Sequence, residues 1–205
     1  CPQCPPDDGG ELGIADVAAG AGGASFSGPM EAAWRANLGS RIASRVLWQV
    51  ASGVYRDEKD LHALARSVEW ERHFQPTQTL RVDTVATKSP LKSLKFATLT
   101  IKDGVCDRMR ERTGYRPNIA KLGPDVRVYA YLQAARATLY LDTSGEALFK
   151  RGYRVADVTA PIRENLAAGI LRLIGWHPGI ALYDPMCGSG TFLIEAAQMA
   201  LGIPP

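Results

Sequence analysis

Apolar and polar positions alternate in three stretches near the middle of the chain. Small or apolar side chains recur at every second position from Leu80 to Ala86, from Val126 to Leu132 and from Ala137 to Leu141. A period of two is typical of a strand with one buried face. The short segment 133–136 separates the last two stretches, which are therefore predicted to pair as a hairpin.

Helical patterns accompany these strands. Pro29 is tolerated in the first turn of a helix, and Asp57 or Asp60 can cap a second helix. A third helix is predicted over 95–112, where apolar residues recur about one turn apart. Residues 41–50 fit a helix or a strand equally well.

Two aromatic side chains, Trp70 and Phe74, lie in a predicted loop that ends at Pro76. Such aromatics can stack on nucleobases. They can also pack a helix against a sheet, which is the commoner role. Both interpretations are open at this point, and packing is favoured.

A glycine-rich turn follows a short apolar run near residue 180. Residues 179–183 are apolar enough for a buried strand, and Pro185 ends it because proline donates no ladder hydrogen bond. Gly188 and Gly190 allow a tight turn, and residues 191–201 are rich in helix-forming side chains. A strand, glycine turn and helix in this order can bind an anionic ligand group with backbone amides.

An amphipathic helix is predicted before this turn. Thr159 is a good N-cap, Pro161 suits the first turn, and Gly175 is a natural stop. The apolar face of this helix is expected to cover a sheet. It consists of Ile162, Leu166, Ile170, Leu173 and Ile174.

The distribution of charge is more informative than its total. A net charge of +3 is too small to indicate a nucleic-acid partner, but residues 81–121 contain ten Lys or Arg against four Asp or Glu. Lys88, Lys92 and Lys95 crowd the loop before the third predicted helix. This concentration fits a phosphate-binding face, and it also fits a solvated helix surface.

The four cysteines are scattered along the chain. Cys1 and Cys4 have the spacing of half a zinc site, but no second Cys or His pair follows nearby, so no metal site is predicted. Cys187 has no nearby base and is expected to be a packing residue rather than a nucleophile. Together with Cys106 the cysteines fit reduced thiols in a cytoplasmic protein.

The residues Asp184-Pro185-Met186-Cys187-Gly188-Ser189-Gly190-Thr191 resemble the S-adenosylmethionine loop of RNA and DNA amino-methyltransferases. Residues 144–154 are similar to the domain junction of the 23S rRNA guanine-N2 methyltransferases, and residues 96–103 are similar to a stretch of their THUMP domain. The chain thus resembles the THUMP-domain-containing RNA guanine-N2 methyltransferases. In that family the RNA-binding THUMP domain precedes the catalytic domain.

This resemblance implies an α+β THUMP-like RNA-binding domain over 29–143. A loop or the remnant of an N-terminal α/β unit is expected over 1–28, and the start of an α/β Rossmann-like methyltransferase domain over 144–205. The resemblance favours a strand for residues 41–50. It also implies that the chain is an N-terminal fragment of a longer, cytoplasmic enzyme.

The same resemblance assigns functional residues. The implied cofactor is S-adenosylmethionine, and its site is expected to comprise Asp184, Pro185, Cys187, Gly188, Ser189, Gly190 and Thr191, with Pro161, Arg163, Glu164 and Asn165 beside its methionine end. The implied partner is RNA, specifically large-subunit rRNA. Its contacts are expected at Lys88, Lys92, Lys95, Lys102, Arg108 and Arg151, although Arg151 is equally suited to holding the two domains together.

The reaction implied by the resemblance is methyl transfer to guanine N2 of 23S rRNA. An Asn-Pro-Pro-Tyr-like motif, which the family uses to hold the target amine, does not occur in the sequence. The catalytic residues are therefore unassigned, and the chain alone is expected to be inactive. Glu164 and Glu195 form an alternative acid–base pair, but nothing in the sequence places them together. Alternative functions are a tRNA guanine-N2 methyltransferase, a DNA adenine-N6 methyltransferase and a non-catalytic RNA-binding module.

Overall fold

A computed structural model describes residues 12–20, 22–153 and 161–205. The chain divides into two compact units. Leu47–Gly145 form one, here called the central unit, and the chain up to Val46 combines with Glu146–Pro205 in the other, here called the composite unit. The boundaries predicted from the sequence lie at residues 28 and 143. In the structure, residues 29–46 group with the composite unit rather than with the strands that follow them.

The composite unit begins with a short antiparallel pair and a helix. Strands β1 (Ala18–Gly20) and β2 (Gly23–Ser25) pair, and helix α1 (Met30–Gly39) follows. Pro29 is the N-cap of α1, which confirms the helix predicted from that proline. Its buried side chains are all alanines, at positions 32, 33 and 36.

The central unit is built on a four-stranded sheet. Its strands are β3 (Leu47–Val54), β4 (Leu80–Thr87), β5 (Val126–Gln133) and β6 (Arg136–Asp142), in the order β3–β6–β5–β4. The pair β4–β5 is parallel, and the other two pairs are antiparallel. All three alternating stretches are confirmed as strands. Within the ambiguous residues 41–50, the strand begins only at Leu47.

Two capped helices lie in the central unit, α2 (Glu58–Ser67) and α3 (Leu94–Thr113). The side chain of Asp57 caps α2 by accepting from the amide of Asp60 at 3.1 Å. Ser93 caps α3 by accepting from the amide of Phe96 at 3.3 Å. These short side-chain acceptors satisfy amides that have no partner inside the helix, so both predicted helices begin close to where the sequence indicates.

The hydrophobic core of the central unit consists of side chains of the sheet, of both helices and of the segment after α2. The aromatic side chains of that segment are inside it, with Trp70 0% and Phe74 6% exposed. The indole nitrogen of Trp70 donates to the carbonyl of Ala65 at 2.7 Å, which satisfies its polar group within the core. The packing interpretation of these aromatics is confirmed, and the nucleobase interpretation is wrong.

Helices α2 and α3 approach each other very closely at Gly104. A Cβ atom at this position would lie 2.7 Å from the carbonyl oxygen of His62 and 2.8 Å from the Cβ of Ala65. Polar contacts flank this crossing. Nε2 of His62 lies 3.0 Å from Oδ2 of Asp107, and the guanidinium of Arg66 lies 2.9 Å from Oε1 of Glu111. The two helices therefore pack backbone to backbone, and only glycine fits.

The composite unit ends with two packed helices, α4 (Glu164–Leu173) and α5 (Thr191–Ala200). Helix α5 confirms the predicted helix after the glycine turn. Helix α4 begins at Glu164, after Pro161, and the predicted cap Thr159 lies outside the described residues. Gly175 follows α4 with φ at +69°, as expected for a helix stop.

Two predictions about burial in this region are wrong. Residues 179–183 form no strand, and Tyr183 is 86% exposed, because no strand among the described residues pairs with this run. The apolar face expected on α4 is exposed at Leu166, Leu173 and Ile174. The helix instead buries a narrow face of small residues with Leu171. In the described part of the chain, no helix is long and apolar enough to cross a membrane.

The crossing of α2 and α3 gives a stability prediction. Gly104→Val places branched carbons against the carbonyl oxygen of His62 and the Cβ of Ala65 and is expected to lower the free energy of unfolding by about 3 kcal/mol. Urea denaturation of the chain measures this change. Arg110→Val, at an exposed position of the same helix, is the control and is expected to cost only about 0.5 kcal/mol through helix propensity. Equal effects of the two substitutions would contradict the close approach.

Candidate functional site

The glycine turn before α5 has two residues in the left-handed region. Gly188 has φ at +52° and Gly190 has φ at +73°, a conformation in which other residues are strained. The amide of Gly190 donates to the carbonyl of Cys187 at 2.7 Å, which closes the turn. Gly190 is also the N-cap of α5, and no side chain caps this helix. The first-turn amides of α5 are therefore not used by a side-chain cap.

Polar side chains of the turn hold its shape. Oδ1 of Asp184 accepts from the amide of Met186 at 3.0 Å, and the hydroxyls of Ser189 and Thr191 lie 3.1 Å apart. Thr191 is 2% exposed, so the base of the turn is anchored where the helix begins. The top of the turn is open, with Pro185, Met186, Cys187 and Gly188 all exposed.

This geometry fits one wall of a site for a ligand with a carboxylate and an ammonium group. A Cβ atom on Gly188 would meet nothing within 4 Å, so the surface above the turn is open. Uncapped amides at a helix start attract a carboxylate, and Asp184 supplies negative charge for an ammonium. The exposed thiol of Cys187 shows that the packing role predicted for it is wrong.

The second group of predicted cofactor residues, Pro161 and 163–165, makes contacts of its own within the composite unit. Nδ2 of Asn165 donates to the carbonyl of Ile42 at 3.0 Å and to Oγ of Ser44 at 3.1 Å. The guanidinium of Arg163 lies over the ring of Phe149, 5.0 Å from its centroid. Glu164 is 4% exposed, whereas Pro161 is exposed. Across the described residues, no hydrogen bond joins residues 161–165 to the glycine turn.

A buried carboxylate, Glu195, lies one turn into α5. It is 0% exposed and accepts from the guanidinium of Arg151 and from the hydroxyl of Tyr153, the latter at 2.9 Å. The guanidinium of Arg41 lies 3.6 Å away. Burial, together with the hydrogen bond to Glu195, raises the pKa of Tyr153 far above its ordinary value, so the phenol remains a donor at neutral pH.

This network shows how Arg151 and Glu195 are used in the structure, which the sequence left open. The side chain of Arg151 is 3% exposed and also donates to the carbonyl of Arg41 at 2.6 Å, so it ties parts of the composite unit together and is not available to RNA. Glu195 is fully engaged by its donors, which makes it a structural anion rather than a free base. Arg41 and Tyr153 were missed, because no local pattern marks an ion pair between segments so far apart in sequence.

The predicted RNA contacts of the central unit fall into two groups, those that pair with a carboxylate and those that are simply exposed. Arg108 is bound to Glu71 at 2.6 Å and is 13% exposed, and this hydrogen bond lowers the pKa of Glu71. Lys102 pairs with Asp103 at 3.0 Å and lines a pocket of about 380 Å³ between β4 and α3. The remaining three, Lys88, Lys92 and Lys95, are exposed.

Comparison with known proteins adds to this geometry. Three family models match: the RlmL ferredoxin-like domain over residues 10–47, the THUMP domain over 55–142 and the RMKL-like methyltransferase domain over 151–205. The ribosomal RNA large subunit methyltransferase K/L of Cellvibrio japonicus is 43% identical over 95% of this chain and 26% of its own length. The protein of that name from Syntrophotalea carbinolica is 45% identical over 95% and 28%. The chain thus spans about a quarter of these relatives.

Solved structures share the fold. A predicted N6-adenine-specific DNA methylase from Listeria monocytogenes superposes with a TM-score of 0.86 at 33% identity, covering 97% of this chain and 52% of the other. SMU.472, described as a methyltransferase complexed with SAH, gives a TM-score of 0.85 at 30% identity with the same coverage. An α+β THUMP domain followed by a methyltransferase domain is therefore the architecture of this chain.

The buried network gives a second prediction. Arg151→Met leaves Glu195 buried without its main partner and is expected to cost about 3–5 kcal/mol. The free energy of opening of α5, from hydrogen exchange of its amides, measures this cost. The control is Lys150→Met, which removes a cation whose pair with Glu146 is exposed, and is expected to cost less than about 1 kcal/mol. Arg151→Met combined with Glu195→Leu should recover most of the loss; no recovery would contradict the pairing.

Proposed function

We propose that this chain, which belongs to the THUMP-domain-containing RMKL-like methyltransferases, is the RNA-binding and cofactor-loop part of an S-adenosylmethionine-dependent rRNA methyltransferase. The observation that carries the proposal is the open glycine turn at the start of α5, in the same chain as a THUMP domain. The central unit, Leu47–Gly145, is the proposed RNA-binding part.

Bound S-adenosylmethionine would supply a methyl group activated by its sulfonium. The first-turn amides of α5 hold the cofactor's carboxylate, since no side chain caps that helix. Asp184 uses Oδ1 to shape the turn and presents Oδ2 to the ammonium. Ser189 and Thr191 fix the backbone between these two groups. The exposed neighbours of the turn, Pro185, Cys187 and Gly188, line the cofactor, and SMU.472, described as complexed with SAH, supports this assignment.

The residues before α4 and in its first turn have a smaller share in the proposed site. Pro161 and Arg163 are exposed and able to approach the cofactor's methionine end. Asn165 and Glu164 support the site from within the composite unit: Asn165 is bonded to Ile42 and Ser44, and Glu164 is buried. They hold the start of α4 in place without contacting the ligand.

The proposed acceptor is the N2 amine of a guanine in 23S rRNA. This amine is conjugated with the ring and is a weak nucleophile, so alignment with the methyl group carries most of the catalysis. A base in folded RNA must also be unstacked before it can react. The names of the curated relatives support large-subunit rRNA as the substrate, and the junction over 144–154 supports guanine N2.

A DNA adenine methyltransferase is the second candidate, since the name of the Listeria monocytogenes structure specifies N6-adenine in DNA. The THUMP match over 55–142 favours RNA, because THUMP is an RNA-binding module. A tRNA guanine-N2 methyltransferase would share both the loop and the THUMP domain. The curated relatives named for the large ribosomal subunit favour rRNA over tRNA.

The glycine turn provides a binding prediction. Gly190→Ala strains a left-handed position by about 1–2 kcal/mol and displaces the first-turn amides, so the affinity for S-adenosylhomocysteine should fall about tenfold or more. Isothermal calorimetry on the full-length protein measures this loss. Gly202→Ala is the control, because Gly202 is also left-handed with open space at its Cβ but follows α5. A variant at Gly190 that binds like the parent would argue against the assigned cofactor site.

The reaction itself is tested with tritiated S-adenosylmethionine. The full-length protein should label large-subunit rRNA, and nucleoside analysis of the digested RNA should identify N2-methylguanosine. Transfer RNA and duplex DNA are parallel substrates in the same assay. Label in DNA as N6-methyladenine, with unlabelled rRNA, would establish the second candidate instead.

A further inference from the structure

The positive charge of residues 81–121 is largely cancelled along α3. Carboxylates neutralise the cations of this helix and its flank: Arg110 pairs with Asp107, Arg116 with Asp103, Lys102 with Asp103, Arg108 and Arg112 with Glu71, and Arg81 with Asp83. An ion-paired guanidinium has less to gain from a phosphate, because the carboxylate already supplies its counter-charge. The middle of α3 is therefore a poor phosphate-binding surface.

Within the described residues, six exposed cations of the central unit have no carboxylate partner: Lys59, Lys121 and four that lie close together. Lys88, Lys92, Lys95 and Arg136 are exposed, and none of them lies within 4.0 Å of a carboxylate among the residues that the structure describes. The guanidinium of Arg136 donates to the hydroxyl of Ser52 at 3.2 Å. These four side chains have their full charge available for an anionic partner.

The strand register brings these cations to one end of the sheet. Thr87, the last residue of β4, pairs with Gln133, which in turn pairs with Arg136. Lys88 follows Thr87 directly and has φ at +55°, so the chain turns away from the sheet beside the β5–β6 turn. Lys92 and Lys95 follow on this loop and on the first turn of α3. We call this group the cationic end of the sheet.

An apolar strip adjoins the cationic end on the face of the sheet opposite α2 and α3. Val85 pairs with Tyr131, and Val54 pairs with Arg136, so all four side chains share this face. Val54 is 68% exposed, Val85 54% and Tyr131 37%. Tyr131 and Arg136 occupy diagonal positions on neighbouring strands, about 7–8 Å apart, within reach of one nucleotide.

We propose that the cationic end and Tyr131 bind a single-stranded segment of RNA. Lys88, Lys92, Lys95 and Arg136 hold successive backbone phosphates, and the ring of Tyr131 stacks on a base. Single-stranded RNA is the occupant because bases within a duplex are stacked on each other and cannot reach an aromatic side chain. This inference rests on the proposed function for RNA as the partner. It adds the binding surface, the contacts of Tyr131 and Arg136, and the single-stranded form of the RNA.

Salt dependence of binding tests the phosphate contacts. Fluorescence anisotropy of an oligoribonucleotide of about ten nucleotides should show about a 50-fold loss of affinity between about 50 mM and 200 mM salt, as expected for four phosphates in a single strand. The double variant Lys88→Gln with Arg136→Gln should reduce the slope of log affinity against log salt by about 1.4. Tyr131→Leu should lower the affinity about tenfold and leave this slope unchanged.

The matched control removes two cations from the neutralised helix surface. Arg110→Gln with Arg116→Gln changes the net charge equally but should leave both affinity and slope close to those of the parent. An equal loss in this control would show that only net charge matters and would overturn the proposal. Tighter binding of an RNA duplex, with no effect of Tyr131→Leu, would also overturn it.

These outcomes separate this inference from the proposed function. If the full-length protein methylates rRNA but the variants at the cationic end bind single strands like the parent, the surface assigned here is wrong and the reaction stands. If the variants lose binding as expected but the label appears only in DNA, the RNA surface stands and the proposed reaction is wrong.

Discussion

The composite unit depends on a buried carboxylate, Glu195, and on the donors that converge on it. Moving a carboxylate out of water costs several kcal/mol, which only close partners can offset. Arg151 and Tyr153 supply hydrogen bonds from the junction after the central unit, and Arg41 adds its charge from the segment before it. The chain segments on both sides of the central unit are therefore fixed to the same helix.

The contacts of Glu195 also help to fix the position of the glycine turn. Glu195 lies about one turn into α5, and α5 begins at Thr191, directly after Gly190. A helix held through a buried ion pair keeps its N-terminal amides in one place, which a ligand site needs because misplacement by about 1 Å is costly. Asn165 adds a further tie by bonding to Ile42 and Ser44. Asn165, which the resemblance assigns to the cofactor site, thus also joins segments of the composite unit.

The sequence predicted the elements whose signals are local. Alternation identified β4, β5 and β6, the two candidate caps Asp57 and Asp60 indicated the start of α2, and the two glycines identified the turn before α5. The strand predicted over 179–183 and the apolar face of α4 failed for a shared reason. Periodicity reports that a segment is suited to burial, but burial also requires a partner, and the described residues provide none there.

Counting charged residues along the chain does not predict which of them form ion pairs. The excess of Lys and Arg over 81–121 is correct as a count, yet Glu71 lies outside that segment and neutralises Arg108 from 37 residues away. Arg136, in contrast, lies outside the segment and joins its unpaired lysines through the strand register. Composition therefore located the unit that carries the unpaired cations but not the face on which they lie. Which cations remain available to an anionic partner is decided by tertiary contacts, and these become visible only when the helices are packed and the strands are paired.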